Sequence, residues 1–171
     1  MRLFIALNFF LETKSHLIFL RDELRSQSAH GNFSLPENLH LTLAFLGECD
    51  ARQTAAVKKA MASVAFSPLE ITIDHLGRFR RDGGDIWWCG VKEAPTLMHL
   101  QRELIERLLV AGFALELRRY SPHITLGREV ITDAAPWKVE PFGDIISHID
   151  LMKSERIQGK LKYTTIYTKE A

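Results

Sequence analysis

The chain has 171 residues, of which 46% are hydrophobic, so it can bury a substantial core without requiring a second domain. Its 22 Lys and Arg residues nearly balance its 21 Asp and Glu residues, which makes the electrostatic field of the whole molecule weak. Indiscriminate binding of a long polyanion is therefore excluded, and any contact with nucleic acid must be local. Two groups of arginines could provide such a contact, although the first is equally typical of solvated loop charge: Arg78, Arg80 and Arg81, and Arg118, Arg119 and Arg128.

The two cysteines, Cys49 and Cys89, match neither a disulfide framework nor a CxxC metal site. The first residues do not combine a charged segment with a long apolar run, and no apolar stretch approaches the roughly 20 residues of a membrane-spanning helix. We therefore expect a monomer in the reducing cytoplasm, with no contact with a membrane.

The first part of the chain predicts strands and helices in mixed order. Alternation of apolar residues predicts a strand over Leu3–Leu7, and apolar residues at helical spacing predict a helix over Leu11–Arg25. Asn38–Leu46, which reads NLHLTLAFL, alternates strongly and is predicted to be a strand that Gly47 ends. A helix is predicted to begin after Asp50 and to run through Ser63.

The rest of the chain contains more predicted strands than helices. Pro68 precedes a predicted strand over Leu69–Ile73, and Asp82, Gly83 and Gly84 mark a hairpin turn. Leu97–Ala111 is predicted to be a helix, because Leu100, Leu104 and Leu108 share one face and Gly112 follows as a stop signal. The remaining predicted strands are Ile86–Val91, Pro122–Arg128, Ile145–Met152 and Leu161–Thr168.

One four-residue pattern occurs twice, as HLTL at His40 and as HITL at His123. The repeat indicates two related halves, and no linker, charge block or short repeat marks a domain boundary within residues 1–171. Adjacent predicted strands favour antiparallel hairpins over βαβ units, so we expect a single α+β domain.

On a strand, residues i and i+2 point to the same side, so His40 lies beside Thr42 and His123 lies beside Thr125. Each pair places one imidazole next to one hydroxyl group. A single His-x-Thr in a strand is usually only a half-exposed polar face, and it is the doubling that points to a site. Two such strands brought together would form a symmetric pocket.

This pocket suits a displacement reaction at phosphorus. One neutral imidazole can take a proton from water, and one imidazolium can protonate the departing oxygen, since the pKa of histidine makes both states accessible near neutral pH. The threonine hydroxyls can donate hydrogen bonds to the non-bridging oxygens as negative charge develops there. None of these steps requires a metal ion.

The segments HLTLAFLG and PHITLGR resemble the paired motifs of the two-histidine phosphoesterases, in particular the RNA 2′,3′-cyclic phosphodiesterases once named 2′-5′ RNA ligases. RLFIALNF resembles the opening strand of that family, and Leu151–Tyr167 resembles its closing hairpin. Asn8 departs from the acidic residue that is common at its position, which puts no catalytic role in doubt.

The resemblance implies two pseudo-symmetric halves with antiparallel sheets around a central cleft and helices on the outside. It also implies His40 as proton donor, His123 as proton acceptor and Arg128 as a phosphate ligand, although Arg128 could equally form an ordinary surface ion pair. The implied substrate is an RNA end or a small nucleotide carrying a 2′,3′-cyclic phosphate, hydrolysed to a 2′-phosphomonoester without a cofactor. Ligation of RNA ends is an implied side activity.

Five aromatic residues could stack on a base or belong to the core: Phe9, Phe45, Trp87, Trp88 and Tyr120. The five histidines outside the repeat have no hydroxyl residue at i+2, and we expect them to be structural or surface residues.

Two other classes of protein are alternatives. A binding module of the same fold could hold phosphate with Thr, Arg and backbone donors, but it would not need two titratable imidazoles. A zinc hydrolase is the weaker alternative, because HxH, HExxH and a cysteine pair are all missing from the sequence.

Overall fold

Nine strands and three α-helices follow one another in mixed order along residues 1–171, which the computed structural model describes in full. The elements are β1 (Arg2–Leu7), α1 (Leu11–Ser26), β2 (Ser28–Phe33), a 3-10 turn (Pro36–Asn38), β3 (Leu41–Glu48), α2 (Ala51–Ser63), β4 (Leu69–Phe79), β5 (Asp85–Val91), α3 (Pro95–Val110), β6 (His123–Thr132), β7 (Trp137–Ile146), β8 (His148–Ile157) and β9 (Lys160–Glu170).

The strands form two antiparallel sheets, and the expected α+β class is confirmed. A four-stranded sheet has the order β3-β1-β8-β9, and a five-stranded sheet has the order β2-β6-β5-β4-β7. We call them the small sheet and the large sheet. Each sheet combines strands from both ends of the chain, since β1 pairs with β8 and β2 pairs with β6. The two halves of the fold are therefore interleaved in sequence.

One hydrophobic core of 32 buried residues joins both sheets and all three helices. The predicted apolar faces of α1 and α3 are buried in it, including Leu17 and Leu104. Helix α2 begins after Asp50, as predicted, because the Asp50 side chain accepts a hydrogen bond from the Gln53 backbone N–H while the Gln53 side chain accepts one from that of Asp50. No helix has the length and the apolar character needed to cross a membrane.

Strand β1 is buried on both faces, which is more than its predicted alternation requires. Leu3, Ile5 and Leu7 enter the main core. The intervening Phe4 and Ala6 form a second small apolar cluster, on the other face, with Met152 of β8. Both sides of the small sheet are therefore structured, and the second side faces the site described below.

The predicted strand Asn38–Leu46 begins three residues later than expected, at Leu41. Pro36 starts a 3-10 turn in which the Asn38 backbone N–H donates to the Leu35 carbonyl oxygen over 2.9 Å. Proline favours this position because its fixed φ is compatible with a helical turn. His40 consequently lies in the short segment between the turn and β3.

Two strands, β2 and β7, were not predicted from the sequence. Strand β2 reads SAHGNF and has no clear apolar alternation. Strand β7 contains Pro141, which an edge strand of the large sheet tolerates, and only Ile146 of this strand is buried. The predicted strand Ile145–Met152 was wrong in its bounds, because it spans the connection between β7 and β8 at Ser147.

Strand β6 is irregular at Arg128 and Glu129. The pairing of β6 shifts register against β2 and against β5 around these two residues, and Glu129 has a positive φ of 53°. Both side chains are exposed, whereas regular alternation would turn Arg128 towards the buried side with Leu126. The bulge therefore reverses the direction in which Arg128 points.

A glycine at the β4–β5 turn packs directly on this bulge. A Cβ atom added to Gly84 would lie 2.5 Å from the Glu129 carbonyl carbon and 2.7 Å from its oxygen, and the φ of Gly84 is +128°. Its neighbour Gly83 also has a positive φ, of +80°, but a Cβ atom there would meet nothing within 4 Å. Gly84 thus allows a close backbone contact that Gly83 does not make.

We predict that Gly84→Ala lowers the free energy of unfolding by about 1–3 kcal/mol more than Gly83→Ala does, because it adds a backbone collision to the cost of a positive φ. Urea unfolding of both variants measures the difference. Equal losses in the two variants would mean that the bulge does not depend on the contact with Gly84.

Candidate active site

The five site residues predicted from the sequence line one cleft of about 1180 Å³ between the two sheets. His40 lies just before β3 and Thr42 lies at its start, whereas His123, Thr125 and Arg128 belong to β6. The structure therefore brings together two segments that are more than 80 positions apart in the sequence.

The two imidazoles are oriented in the same way. Nδ1 of His40 lies 2.7 Å from the Asn38 carbonyl oxygen, and Nδ1 of His123 lies 2.6 Å from the Ser121 carbonyl oxygen. Since a carbonyl oxygen only accepts, each Nδ1 must carry the proton that it donates. In each neutral ring the unprotonated nitrogen is therefore Nε2.

The Nε2 atoms differ in their surroundings. That of His40 lies 2.9 Å from Oγ1 of Thr42, so the first His-x-Thr pair forms a direct hydrogen bond. Nε2 of His123 makes no hydrogen bond within the protein, and the residue lines the cleft. The second pair, His123 and Thr125, is therefore side by side but not hydrogen-bonded.

Aromatic rings flank both histidines and restrict their movement. The distances between ring centroids are 4.9 Å from Phe4 to His40, 5.2 Å from Tyr163 to His40, 5.1 Å from Phe79 to His123 and 6.0 Å from Trp88 to His123. Each imidazole thus has an apolar side as well as a polar anchor at Nδ1.

The pKa of each histidine is lowered. For His40 the main cause is burial, which the hydrogen bond to Asn38 opposes, and the positive charges of Lys14, His123 and Arg128 lower the pKa further. For His123 the main cause is again burial, opposed by the hydrogen bond to Ser121, with further lowering by Arg128 and Arg118. The repulsion between the two imidazolium groups disfavours the state in which both are protonated.

Side-chain hydroxyl groups from other segments donate hydrogen bonds to the backbone of β3 and of β6. Tyr120 Oη donates to the Thr42 carbonyl oxygen over 2.7 Å, and Ser34 Oγ donates to the Thr125 carbonyl oxygen over 3.0 Å. Burial strongly raises the pKa of the Tyr120 phenol. Tyr120 is therefore a structural link from the segment before His123 to the strand that follows His40.

The aromatic candidates separate into core and cleft residues. Phe9 and Trp87 are buried in the core, so neither can stack on a base, and Tyr120 has the structural contact just described. Phe45 lines the cleft and is 66% exposed, which leaves its ring accessible, and Trp88 packs beside His123.

The arginines named from the sequence include both ion-paired residues and a residue without a carboxylate partner. Arg78 and Arg80 lie 3.9 and 3.8 Å from the Asp85 carboxylate, so their group consists largely of ion-paired surface charge. Arg128 has no carboxylate within 4.0 Å, although it lowers the pKa of both histidines. Its charge therefore acts on both sides of the cleft without being neutralised by a partner.

Other residues of the cleft were missed from the sequence, among them Arg2, Phe4, Arg156 and Tyr163. Arg2 and Phe4 alternate with Leu3 and Ile5, so they occupy the face of β1 opposite the main core. That alternation was the available signal, but it could not show that the second face of β1 borders a cleft.

Few groups outside the cleft could form a nucleophilic or metal-binding site. Cys49 and Cys89 are buried and free, and burial raises the pKa of both thiols. No group of three His, Cys, Asp or Glu side chains is placed to hold a metal ion.

The family model of the 2′-5′ RNA ligase superfamily matches residues 15–156. A relative from Geobacillus stearothermophilus named RNA 2′,3′-cyclic phosphodiesterase is 35% identical over 129 residues, which cover 74% of this chain and 41% of that protein. A relative of the same name from Archaeoglobus fulgidus is 33% identical over 117 residues, which cover 64% of this chain and 66% of that protein. The chain thus spans less than two thirds of the length of both relatives.

The crystal structure of Escherichia coli LigT complexed with 3′-AMP has the same fold over almost its whole length. The TM-score is 0.85 at 27% sequence identity, with 99% of this chain and 97% of the other chain covered. Three observations indicate the same family: the doubled His-x-Thr motif, the pair of antiparallel sheets and the match of the family model over most of the chain. The chain belongs to the 2′-5′ RNA ligase superfamily of two-histidine phosphoesterases.

Proposed function

We propose that the chain is a hydrolase that opens a 2′,3′-cyclic phosphate at the end of an RNA and leaves a 2′-phosphomonoester, without a metal ion or cofactor. The observation that carries the proposal is the matched orientation of the two imidazoles, each anchored through Nδ1 beside one cleft. The names of the relatives support the same activity. The 3′-AMP in the LigT complex supports a ligand of mononucleotide size, and we propose small nucleotides with a 2′,3′-cyclic phosphate as further substrates.

Thr42, Thr125 and Arg128 are the proposed phosphate ligands. The hydroxyl groups donate to the non-bridging oxygens, and the planar guanidinium can contact two phosphate oxygens at once. Arg128 is suited to this role because no carboxylate of the protein competes for it. Its positive charge also stabilises the negative charge that develops on phosphorus-bound oxygens in the transition state.

His123 acts as the base and His40 as the acid in this proposal, following the family resemblance. A water molecule attacks phosphorus as its proton passes to Nε2 of His123. The bond from phosphorus to the 3′-oxygen breaks, and Nε2 of His40 gives its proton to that oxygen. The products are the 2′-phosphomonoester and a free 3′-hydroxyl group.

The electrostatics of the pair favour the protonation state that this step needs. Burial and mutual repulsion disfavour two imidazolium groups in one cleft, so a single proton is shared by the pair over a range of pH. Because burial lowers both pKa values, the state with one base and one acid is populated on the acidic side of pH 6.5, and both rings are neutral at higher pH.

The same groups would allow ligation as a side activity, because it is the same displacement with a different nucleophile. If the 5′-hydroxyl of a second RNA replaces water, it attacks the cyclic phosphate and a phosphodiester forms. The 3′-oxygen again takes the proton of His40, so the product is a 2′-5′ linkage and no nucleotide cofactor is consumed.

We also propose that residues 1–171 act as one bilobal domain and as a monomer in the cytoplasm. The continuous core between the two sheets supports a single domain, and a cleft lined by one chain supports a monomer. Two buried free cysteines suit a reducing compartment.

We predict that His40→Ala and His123→Ala each lower kcat by at least about 10²-fold, because each removes one proton-transfer step. The measurement is hydrolysis of a short oligonucleotide that ends in a 2′,3′-cyclic phosphate, with analysis of the position of the product phosphate. His99→Ala, on the exposed side of α3, is the matched control and should retain wild-type activity.

A nitrophenyl phosphodiester separates the two roles, since its leaving group needs little protonation. It should restore turnover to His40→Ala and not to His123→Ala. Rescue of His123→Ala alone would reverse the roles. A variant that keeps more than about a tenth of wild-type kcat would remove that histidine from the mechanism, and intact binding in a wild-type protein without turnover would favour the non-catalytic binding module.

Thr42→Val and Thr125→Val are predicted to lower kcat more than they raise KM, because a hydroxyl that stabilises developing charge acts in the transition state. Valine keeps the volume and the strand propensity of threonine. Thr96→Val, at the exposed start of α3, serves as the control. An effect on KM alone in both variants would make the threonines ground-state ligands.

The pH dependence of kcat/KM should be bell-shaped, with both limbs on the acidic side of pH 6.5, because the pKa of each histidine is lowered from the ordinary value of 6.5. The two limbs belong to the pair, and with His123 as the base and the group of lower pKa, the acidic limb reports His123 and the alkaline limb reports His40. Arg118 lowers the pKa of His123 but is not among the charges that act on His40. Removing its charge should therefore raise only the pKa of His123.

Arg118→Gln should accordingly move the acidic limb to higher pH and leave the alkaline limb in place. The profiles need to be measured at low ionic strength, because Arg118 is 76% exposed and salt screens its charge. A shift of the alkaline limb alone would show that His123 has the higher of the two pKa values, contrary to this expectation.

A further inference from the structure

The cleft extends beyond the two histidines to a second basic group, formed by Arg2 and Arg156. Arg2 lies two residues before Phe4, whose ring centroid is 4.9 Å from that of His40. Residues i and i+2 of a strand share a face and are separated by roughly 6.6 Å. Arg2 therefore lies roughly 6.6 Å farther along β1 than Phe4, whose ring packs on His40.

Strand pairing brings Arg156 to the same side of the small sheet. Arg2 is directly opposite Ser154 in the β1–β8 register, and Arg156 follows Ser154 by two residues. Ser154 is in turn opposite Tyr163 in the β8–β9 register. The two guanidinium groups and the tyrosine therefore belong to one face, and all three residues line the cleft.

The negative charges of the cleft are already engaged by other partners. The contacts are Glu48 with the N-terminal ammonium group at 3.4 Å, Glu129 with the Asn32 side-chain amide at 2.8 Å and Glu155 with Lys153 at 3.3 Å. None of these carboxylates lies within 4.0 Å of a cleft arginine.

The two arginines, in contrast, form no ion pair within 4.0 Å, although Glu48 is opposite Arg2 in the β1–β3 register. Arg2 makes no ion pair, and the only hydrogen bond of the Arg156 side chain is a 3.3 Å contact from Nη1 to the Gly159 carbonyl oxygen. Both side chains are exposed. Two guanidinium groups without an ion pair on one face of the cleft have the chemistry to bind an anion.

Tyr163 links this basic group to the histidines. Its ring contacts His40, and the positive charges of Arg128, Arg2 and Arg156 all lower the pKa of its phenol against the dominant raising effect of burial. Tyr163 is therefore close enough to the proposed phosphate ligand Arg128, and to the second basic group, to be affected by the charges of both.

We propose that Arg2 and Arg156 bind the phosphate on the 5′ side of the terminal nucleotide while its 2′,3′-cyclic phosphate lies between His40 and His123. The inference rests on the proposed function and defines its substrate more closely. A nucleotide with both phosphates contacts Arg128 through the cyclic phosphate and contacts Arg2 and Arg156 through the 5′-phosphate. A cyclic mononucleotide with a free 5′-hydroxyl contacts only Arg128. The exposed ring of Phe45 lies on the same side of the cleft and offers a surface for the base.

The test compares adenosine 2′,3′-cyclic phosphate with the same compound carrying a 5′-phosphate. We expect wild-type kcat/KM to be about tenfold higher for the 5′-phosphorylated substrate, as charge-assisted contacts to one phosphate warrant. In Arg2→Gln and Arg156→Gln this preference should fall substantially, and in the double variant it should disappear, while hydrolysis of the unphosphorylated compound stays at the wild-type rate.

Arg102→Gln is the matched control, because Arg102 is an exposed arginine without an ion pair on the outer helix α3. It changes the net charge equally and should preserve the tenfold preference. Raised salt should reduce the preference in the wild-type protein and in this control, but not in the double variant. Equal losses for both substrates, or an unchanged preference, in the Arg2 and Arg156 variants would overturn the proposal.

A wild-type protein that hydrolyses neither compound would refute the proposed function instead. The second basic group is then tested by equilibrium titration with adenosine 2′,5′-bisphosphate and with adenosine 2′-monophosphate. Tighter binding of the bisphosphate that is lost in the double variant supports the inference. Equal binding of the two ligands by the wild-type protein refutes it.

Discussion

The hydrogen bond from each histidine Nδ1 to the carbonyl oxygen two residues earlier is the constraint on which the site depends. It fixes the tautomer and the ring plane with a backbone group, so the orientation does not rely on another mobile side chain. The aromatic rings beside each imidazole then lower its pKa by excluding water. This arrangement is the basis of the proposed roles of two chemically alike groups as acid and base in the same step.

Much of this arrangement follows from the sequence, because alternation and the doubled motif depend on local spacing. The α+β class, the two histidines as a pair and the capping of α2 by Asp50 could all be predicted in this way. Arg128 could not be predicted from spacing, since it lies three residues after Thr125 and regular alternation directs it away from the cleft. Only the register shifts of β6, which depend on its partners β2 and β5, reverse that direction.

The missed elements share a physical cause. Strand β2 and edge strand β7 are held by pairing with neighbours and carry little buried apolar surface, so their own sequences give a weak signal. Arg2 and Tyr163 were missed for a related reason. Their importance depends on which face of the small sheet borders the cleft, and that is decided by the packing of the large sheet rather than by either strand alone.

The charge distribution suits the proposed action of a nearly neutral protein on the end of an RNA. A formal net charge of +1 gives little attraction for long RNA tracts, so affinity has to come from particular unpaired groups. Within the cleft the carboxylates are engaged by cations or amides, and Arg2, Arg128 and Arg156 are not engaged by carboxylates. Unpaired positive charge is thus concentrated in the cleft, which is consistent with the proposed binding of a terminal nucleotide there.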